Sequence, residues 1–248
     1  MRPVMIITGA TRGIGAATAR LAARAGYAVC LNYHRDEGAA AQVLAELQDL
    51  GAEAVALRAD ASVESEVIRL FEEAERALGP VTVLVNNAGT VDLQSRLEAM
   101  SEARLLRMMK INVVGPMLCA REAVRRMSRR HGGQGGSIVN VSSRAALLGS
   151  PNEYVDYAAS KGALDTFTVG LALEVASEGV RVNGVRPGLI HTGFHALSGD
   201  AERVDKREAG VPMGRGGQAE EVAEAILWLA SAKASYATGT FIDVSGGR

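Results

Sequence analysis

Strand-length apolar runs alternate with longer stretches of helical periodicity from one end of this sequence to the other. The runs are Val4–Thr8, Ala28–Asn32, Ala54–Arg58, Val81–Val85, Ser137–Val141, Val180–Val185 and Phe241–Val244. Amphipathic stretches near Ile14–Arg24, Glu37–Leu50, Glu64–Leu78, Glu102–Arg129, Tyr157–Glu178 and Glu220–Ser231 separate them. Runs such as Val83-Leu84-Val85 lack the polar alternation of a half-solvated sheet, so these strands are expected to be buried on both faces. Strands alternating with helices of this length predict one parallel sheet, covered by helices on both sides and joined by right-handed crossovers. The expected fold class is therefore α/β, a single doubly wound domain over residues 1–248. No internal repeat or linker interrupts the pattern. The glycine-rich cluster Gly132-Gly133-Gln134-Gly135-Gly136 follows a long helix and reads as its terminator, because glycine adopts positive φ without strain.

Composition narrows the class. With 48% hydrophobic and 22% charged residues, the 248-residue chain can build a large core that needs no metal or disulfide staple. A formal net charge of −1 provides no basic field for nucleic acid or for an anionic membrane. The two cysteines, Cys30 and Cys119, lie inside apolar runs and outside any CxxC or histidine cluster. Buried reduced thiols and no metal site are expected. No apolar stretch has the length of a signal core or a membrane span, and a cytoplasmic location is expected.

The first strand runs into Thr8-Gly9-Ala10-Thr11-Arg12-Gly13-Ile14-Gly15 and then into a helix. Glycines suit a sharp turn, close backbone approach to a pyrophosphate and tight helix packing, while the helix N-terminus offers free N–H groups to phosphate. The spacing is not G-x-G-x-x-G, and a tight turn without a ligand competes as a reading of this segment alone. Further motifs follow. Asp60-Ala61 comes after the third strand and Asn86-Asn87-Ala88-Gly89 ends the fourth. Asn112 lies within the long Glu102–Arg129 helix, and Ser142-Ser143 ends the fifth strand. Tyr157-Ala158-Ala159-Ser160-Lys161 opens the next helix, and Pro187-Gly188-Leu189-Ile190-His191-Thr192 follows the sixth strand. In order and spacing, over residues 4–247, this series resembles the short-chain dehydrogenase/reductase family with its TGxxxGxG, NNAG, YxxxK and PGxIxT patterns. The likeness is greatest to the single-domain branch that holds 3-oxoacyl-carrier-protein reductases and glucose dehydrogenases.

The resemblance implies a Rossmann-type, seven-stranded sheet of order 3-2-1-4-5-6-7, with NAD(P) lying across the carboxyl ends of the strands at the switch point. It assigns cofactor contacts to Gly9, Thr11, Arg12, Gly13, Ile14, Gly15, His34, Arg35, Asp60, Ala61, Asn87, Ala88, Gly89, Tyr157, Lys161, Pro187, Gly188, Ile190 and Thr192. It assigns catalysis to Asn112, Ser143, Tyr157 and Lys161. Interconverting a carbonyl and a secondary alcohol needs a hydride donor, a proton donor and stabilisation of charge developing on oxygen. A free tyrosine, with a pKa near ~10, exchanges protons poorly near neutrality. Lys161 lies at i+4 from Tyr157, on the same helix face, and favours the phenolate. Tyr157 is then the general acid/base, and Lys161 its electrostatic partner and ribose anchor. A Tyr/Lys pair alone is common on exposed helices and gains meaning only in this setting; Tyr154 has Ala158, not lysine, at i+4.

The family places its serine thirteen residues before the tyrosine, where Arg144 stands here. Ser143 is fourteen before and Ser142 fifteen; an extra residue in the Ala145–Glu153 loop favours Ser143. Asn112 resembles the asparagine that holds a water linking the lysine to solvent, the alternative being a polar residue that relieves a helix kink. Enzymes that prefer NAD place an acid at the end of the second strand, and here Tyr33 occupies that position. Arg12 and Arg35 offer charge to a 2′-phosphate, so NADP is expected, with NAD as the alternative. Asp36 comes too late for the ribose, though pairing with Arg35 would blunt that arginine.

The expected substrate is a small carbonyl or alcohol compound, closed in by a segment at about 193–210; sugars, ketones, aldehydes and 3-oxoacyl thioesters all fit. Leu173 stands where reductases acting on acyl carrier protein carry an arginine before Glu174. Arg125, Arg126, Arg129 and Arg130 read as a solvated helix face rather than a docking patch for an acidic protein. None of the four histidines has a partner at ligand spacing; His131 is expected to be solvated, and His195 is balanced between substrate contact and solvent. A homotetramer is implied by the resemblance and by Leu164, Phe167, Leu171 and Val175, apolar positions that need a cover. A non-catalytic NADP-binding sensor or an oligomeric structural subunit competes with the enzyme reading. The intact set of Asn112, Ser143, Tyr157 and Lys161 favours the enzyme.

Overall fold

The computed structural model describes residues 2–248, apart from the side chain of His195. The chain opens β1 (Val4–Ile7), α1 (Gly13–Arg24), β2 (Ala28–Tyr33), α2 (Glu37–Asp49), β3 (Ala54–Arg58), α3 (Glu64–Leu78), β4 (Val81–Asn86). It continues α4 (Glu102–Met109), α5 (Gly115–Met127), β5 (Gly136–Val141), α6 (Ala145–Leu148), α7 (Val155–Val175), β6 (Val180–Pro187). After β7 (Ile190–His191) come α8 (Arg203–Arg207), β8 (Gly217–Gln218), α9 (Ala219–Ala230) and β9 (Phe241–Val244). Seven strands form one parallel sheet in the order β3-β2-β1-β4-β5-β6-β9. This is the expected doubly wound order, with β9 as the seventh strand. The two-residue strands β7 and β8, which the sequence pattern did not predict, pair with each other apart from the main sheet.

Alternation along each strand divides the core in two. Met5 and Ile7 of β1, with Val29 and Leu31 of β2, pack under α1, α2 and α9. Their sequence neighbours Val4 and Ile6, with Ala28 and Cys30, pack on the other face against α3, α5 and α7. Successive strand side chains point to opposite faces, so a strand buried on both sides must be apolar at every position. Cys30 and Cys119 are unpaired and sit in this second layer, where burial pushes both thiols up to about 12.

The expected helix Glu102–Arg129 is not continuous. After α4, residues Lys110–Val114 widen into a π turn before α5 resumes. Pro116 at the start of α5 has no N–H to give to the carbonyl of Asn112, and its ring excludes that i−4 bond. Of the four apolar residues expected to need a partner, Leu164 and Val175 are already buried inside the chain, and Phe167 and Leu171 pack partly against the second layer. The uncovered apolar side chains of α7 are instead Val169 and Leu173. Arg125 and Arg126 pair with Glu122, and Arg126 also reaches Glu75, which accounts for much of the basic run within the fold.

Candidate active site

The glycine-rich turn after β1 is shaped by contacts that exclude side chains. Gly9 and Gly13 have φ of +64° and +52°. A Cβ at Gly15 would sit 2.4 Å from the carbonyl oxygen of Gly9 and 2.5 Å from Asn87 Nδ2. The turn is stapled to the end of β4. Asn87 Nδ2 donates to the carbonyls of Thr8 and Gly9, each at 2.9 Å, and Thr8 Oγ1 accepts from the N–H groups of Asn87 and Ala88, each at 3.0 Å. The first turn of α1 carries no acidic residue and its N-cap, Arg12, makes no side-chain cap. Its orphan N–H groups thus remain available to an anion.

A cavity of about 1010 Å³ runs from this turn along the carboxyl ends of the strands. All the expected cofactor contacts except Gly15 line it, as does Ser143. Gly15 is buried beneath the turn, and Asn112 is buried behind the cavity wall. At the far end of β2, Tyr33, His34 and Arg35 face the cavity, together with Arg12. Asp36 does not pair with Arg35: its Oδ1 caps α2 by accepting from Ala39 N at 3.0 Å. Among the described residues, neither Arg12 nor Arg35 has an acidic partner within 4.0 Å. Burial works against the charge of Asp60, but two hydrogen bonds from Ser62 at 2.7 and 2.9 Å, and the charges of His34 and Lys110, hold its carboxyl below the usual range.

The chemical end of the cavity is built by β5 and α7. Tyr157 and Lys161 lie one turn apart on the buried face of α7, and both are almost wholly enclosed. Burial pushes the Tyr157 hydroxyl up to about 12; a hydrogen bond with Ser143 draws it partly back. Burial pulls Lys161 down to about 8 against the opposing charge of Asp165. Lys161 Nζ donates to the carbonyl of Val141 at 2.8 Å and lies 5.8 Å from the Tyr157 ring centre. Ser142 also lines the cavity, but its hydroxyl donates to the carbonyl of Lys161 at 3.4 Å. The loop between Ser143 and α7 holds Gly149, Ser150 and Asn152 at positive φ.

Asn112 sits in the π turn. Its Oδ1 accepts from Thr90 N at 2.8 Å, and its Nδ2 donates to Thr90 O at 2.8 Å and to Ser160 Oγ at 3.1 Å. A Cβ on Gly89 would stand 3.4 Å from Asn112 Oδ1 and 3.6 Å from Lys161 Nζ, so the three residues meet at one point. Tyr154, set aside in the sequence as lacking a lysine, stacks edge-on against Tyr157 at 5.8 Å and lines the cavity. Glu153, Arg203, Arg207 and Arg248 also line it, and nothing in the sequence marked them, since their neighbourhood arises only when the segment after β7 folds over α7. The side chain of His195 lies outside the described residues.

Among the described residues no helix is long and apolar enough to cross a membrane. A family model described as enoyl-(acyl carrier protein) reductase matches residues 9–248. The chain is 52% identical to the uncharacterized oxidoreductase YgfF of Escherichia coli over 245 residues, 99% of both chains. It is 39% identical to the 3-oxoacyl-[acyl-carrier-protein] reductase of Bos taurus over 247 residues, 100% of this chain and 98% of that one. A crystal structure of a short-chain type dehydrogenase/reductase from Mycobacterium marinum superposes with a TM-score of 0.92 at 32% identity, covering 99% of this chain and 94% of the other. With fold and sequence alike over nearly its whole length, the chain belongs to the short-chain dehydrogenase/reductase family, NAD(P)-dependent oxidoreductases that act on CH–OH groups.

Proposed function

We propose that this enzyme interconverts a small carbonyl compound and its secondary alcohol with NADP, using Tyr157 as general acid/base. The observation that carries the reading is the convergence of Tyr157, Ser143 and Lys161 on one end of a cavity that begins at the glycine-rich turn. The bound nicotinamide supplies or accepts the hydride. Tyr157, held protonated by its burial, gives its proton to the substrate oxygen during reduction, and Ser143 donates a second hydrogen bond to that oxygen. Lys161 favours the phenolate left behind and anchors the ribose; Asn112, fixed by Thr90 and Ser160, would hold the water that links Lys161 to solvent.

Gly9, Thr11, Gly13 and Ile14 hold the pyrophosphate, with Gly15 packed beneath the turn to shape it, and Asp60 and Ala61 hold the adenine. Asn87, Ala88, Gly89, Pro187, Gly188, Ile190 and Thr192 hold the nicotinamide side. Arg12 and Arg35, with His34 beside them, select the 2′-phosphate; the absence of an acidic partner within 4.0 Å among the described residues supports this choice. The segment at about 193–210 covers the substrate. Leu173, 77% exposed, leaves no arginine at the position where carrier-protein reductases have one, which disfavours that substrate. The free, buried cysteines suit the cytoplasm, and exposed apolar residues on α4, α5 and α7 suit a homotetramer. The test is oxidation of NADPH and of NADH with ketones, aldehydes, aldoses, and 3-oxoacyl and 2-enoyl thioesters. Turnover of a carbonyl with NADPH is expected. Reduction of the enoyl thioester alone, or no turnover by a protein that binds NADPH, overturns the reading.

A further inference from the structure

The cavity wall beyond Tyr157 holds a charge arrangement that hydride transfer does not use. Arg203 opens α8 with its side chain only 4% exposed. Its Nη2 donates to Glu153 Oε2 at 2.5 Å, and Arg207 donates to the other oxygen of the same carboxylate. The remaining nitrogens of Arg203, Nε and Nη1, are buried and meet no acceptor among the described residues. Arg248 lines the same cavity; burial first, then repulsion from Arg203 and Arg207, lowers its pKa. Arg203 and Arg207 thus share the carboxylate of Glu153, and Arg248 adds a third positive charge to the same wall. Asp200 of the covering segment feels the charges of Arg203 and Arg207, but the nearest partners of the segment's acids lie elsewhere. Asp200 accepts from Lys206 at 2.9 Å, with Glu202 3.3 Å from the same lysine. Asp205 faces His191 at 3.7 Å, and Glu208 accepts from Gly216 N at 3.2 Å.

The cluster is also close to the chemistry. The Arg203 guanidinium carbon is 5.0 Å from the Tyr154 ring centre, which is 5.8 Å from that of Tyr157. End to end, these bound its distance from the Tyr157 ring centre at about 11 Å. A clasp that merely fastens α8 to the segment before α7 needs one arginine on Glu153. Surplus positive charge at a low-dielectric wall, with buried donors unpaired, is unfavourable until an anion joins it. Resting on the assignment of this cavity to a carbonyl or alcohol substrate, we propose that the substrate carries an anionic oxygen acid, a carboxylate or a phosphate ester. Arg203, with Arg207 and Arg248, holds that group while the reacting carbon lies at Tyr157.

Two matched pairs test it: 4-oxopentanoate against its methyl ester, and dihydroxyacetone phosphate against dihydroxyacetone. The kcat/KM of each is measured with NADPH in the wild type, Arg203→Met and Arg207→Met. Wild type is expected to prefer at least one anionic member by roughly 10-fold or more, the scale of a charge-assisted hydrogen bond, and the preferred pair identifies the acid. Arg203→Met should erase that preference mainly through KM and leave the neutral member nearly unchanged; a purely structural clasp would lower both alike. Arg207→Met should give a smaller loss and serves if Arg203→Met does not fold. Calorimetric titration of 4-hydroxypentanoate and glycerol 3-phosphate into the enzyme with NADP+ reads binding apart from turnover. Anion binding that weakens in Arg203→Met supports the subsite even if no carbonyl is reduced, in which case only the reaction assigned above fails. Preference for both neutral members, equal losses in Arg203→Met, or no anion binding by an enzyme that reduces neutral ketones overturns it.

Discussion

Burial favours the neutral form of both Tyr157 and Lys161, pushing one up to about 12 and the other down to about 8. In the proposed reaction the tyrosine keeps its proton until reduction, and the charge of Lys161 would stabilise the phenolate it leaves. Tyr157→Phe is expected to lower kcat by at least ~100-fold while cofactor affinity stays close to wild type, as titration of NADPH fluorescence would show. Ser143→Ala should cost roughly 3 kcal/mol in transition-state stabilisation and Ser142→Ala far less, because only Ser143 interacts with the Tyr157 hydroxyl; the reverse ranking of kcat/KM would reassign the serine. Lys161 also affects stability. The unfolded chain binds this proton up to pH ~10.5 and the folded chain only to about 8, so its burial penalty is full below pH 8 and relieved as pH rises through that window. Denaturation of wild type and Lys161→Met at pH 7–9.5 should show wild type gaining on the variant with pH, toward a limit of about 3 kcal/mol. Reductive kcat/KM should fall over the same range, as the lysine loses its charge. A stability difference independent of pH would mean that Lys161 is not buried charged.

At the scale of elements, the legible parts were those with a period or a fixed spacing. Strands buried on both faces announce themselves as unbroken apolar runs, and the turn after β1 announces itself by glycines that the packing of Gly15 against Gly9 and Asn87 demands. The π turn was not legible, since Asn112 and Pro116 sit inside an otherwise helical pattern and the widening appears only when the Asn112 side chain finds Thr90 and Ser160. The pair β7 and β8, and α8 with its arginines, were hidden for a related reason: two- to five-residue elements have no period, and their contacts are with distant segments. The turn from β2 into α2 lies between these extremes. The sequence brings Tyr33, Arg35 and Arg12 forward as the set proposed to meet a 2′-phosphate, whereas the capping role of Asp36 needed coordinates. If Arg12 and Arg35 both meet the 2′-phosphate as proposed, two exposed contacts, discounted by half for solvent, are expected to favour NADP on the order of 100-fold in kcat/KM. Tyr33→Asp with Arg35→Ala should reverse that preference at fixed moderate salt, because a carboxylate accepts from the 2′-hydroxyl of NAD and repels the phosphate. A wild-type enzyme that prefers NADH would remove the assignment.

For the molecule as a whole, topology was legible because the order of motifs along the chain fixes which strand carries which loop to the cavity. Assembly was harder to read, since helical apolar positions look alike whether they face the sheet or a second copy. Leu164 and Val175 turn inward, while Val169 and Leu173 on the same helix remain uncovered, with Leu106 and Met109 on α4 and Val114 and Met117 nearby. Exposed apolar side chains on neighbouring helices of one face are a liability in a monomer and a cover in a symmetric oligomer, where a two-fold axis sets each patch against its own copy. Light scattering at micromolar concentration is therefore expected to give about four times the 26.0 kDa chain mass. Val169→Glu with Leu173→Glu places like charges opposite each other across that axis and should shift the mass to a dimer or monomer. Both positions are exposed in the single chain, so the variant's unfolding cooperativity should persist. A wild type that is monomeric, or a tetramer indifferent to the double substitution, would show that α7 does not lie at an interface.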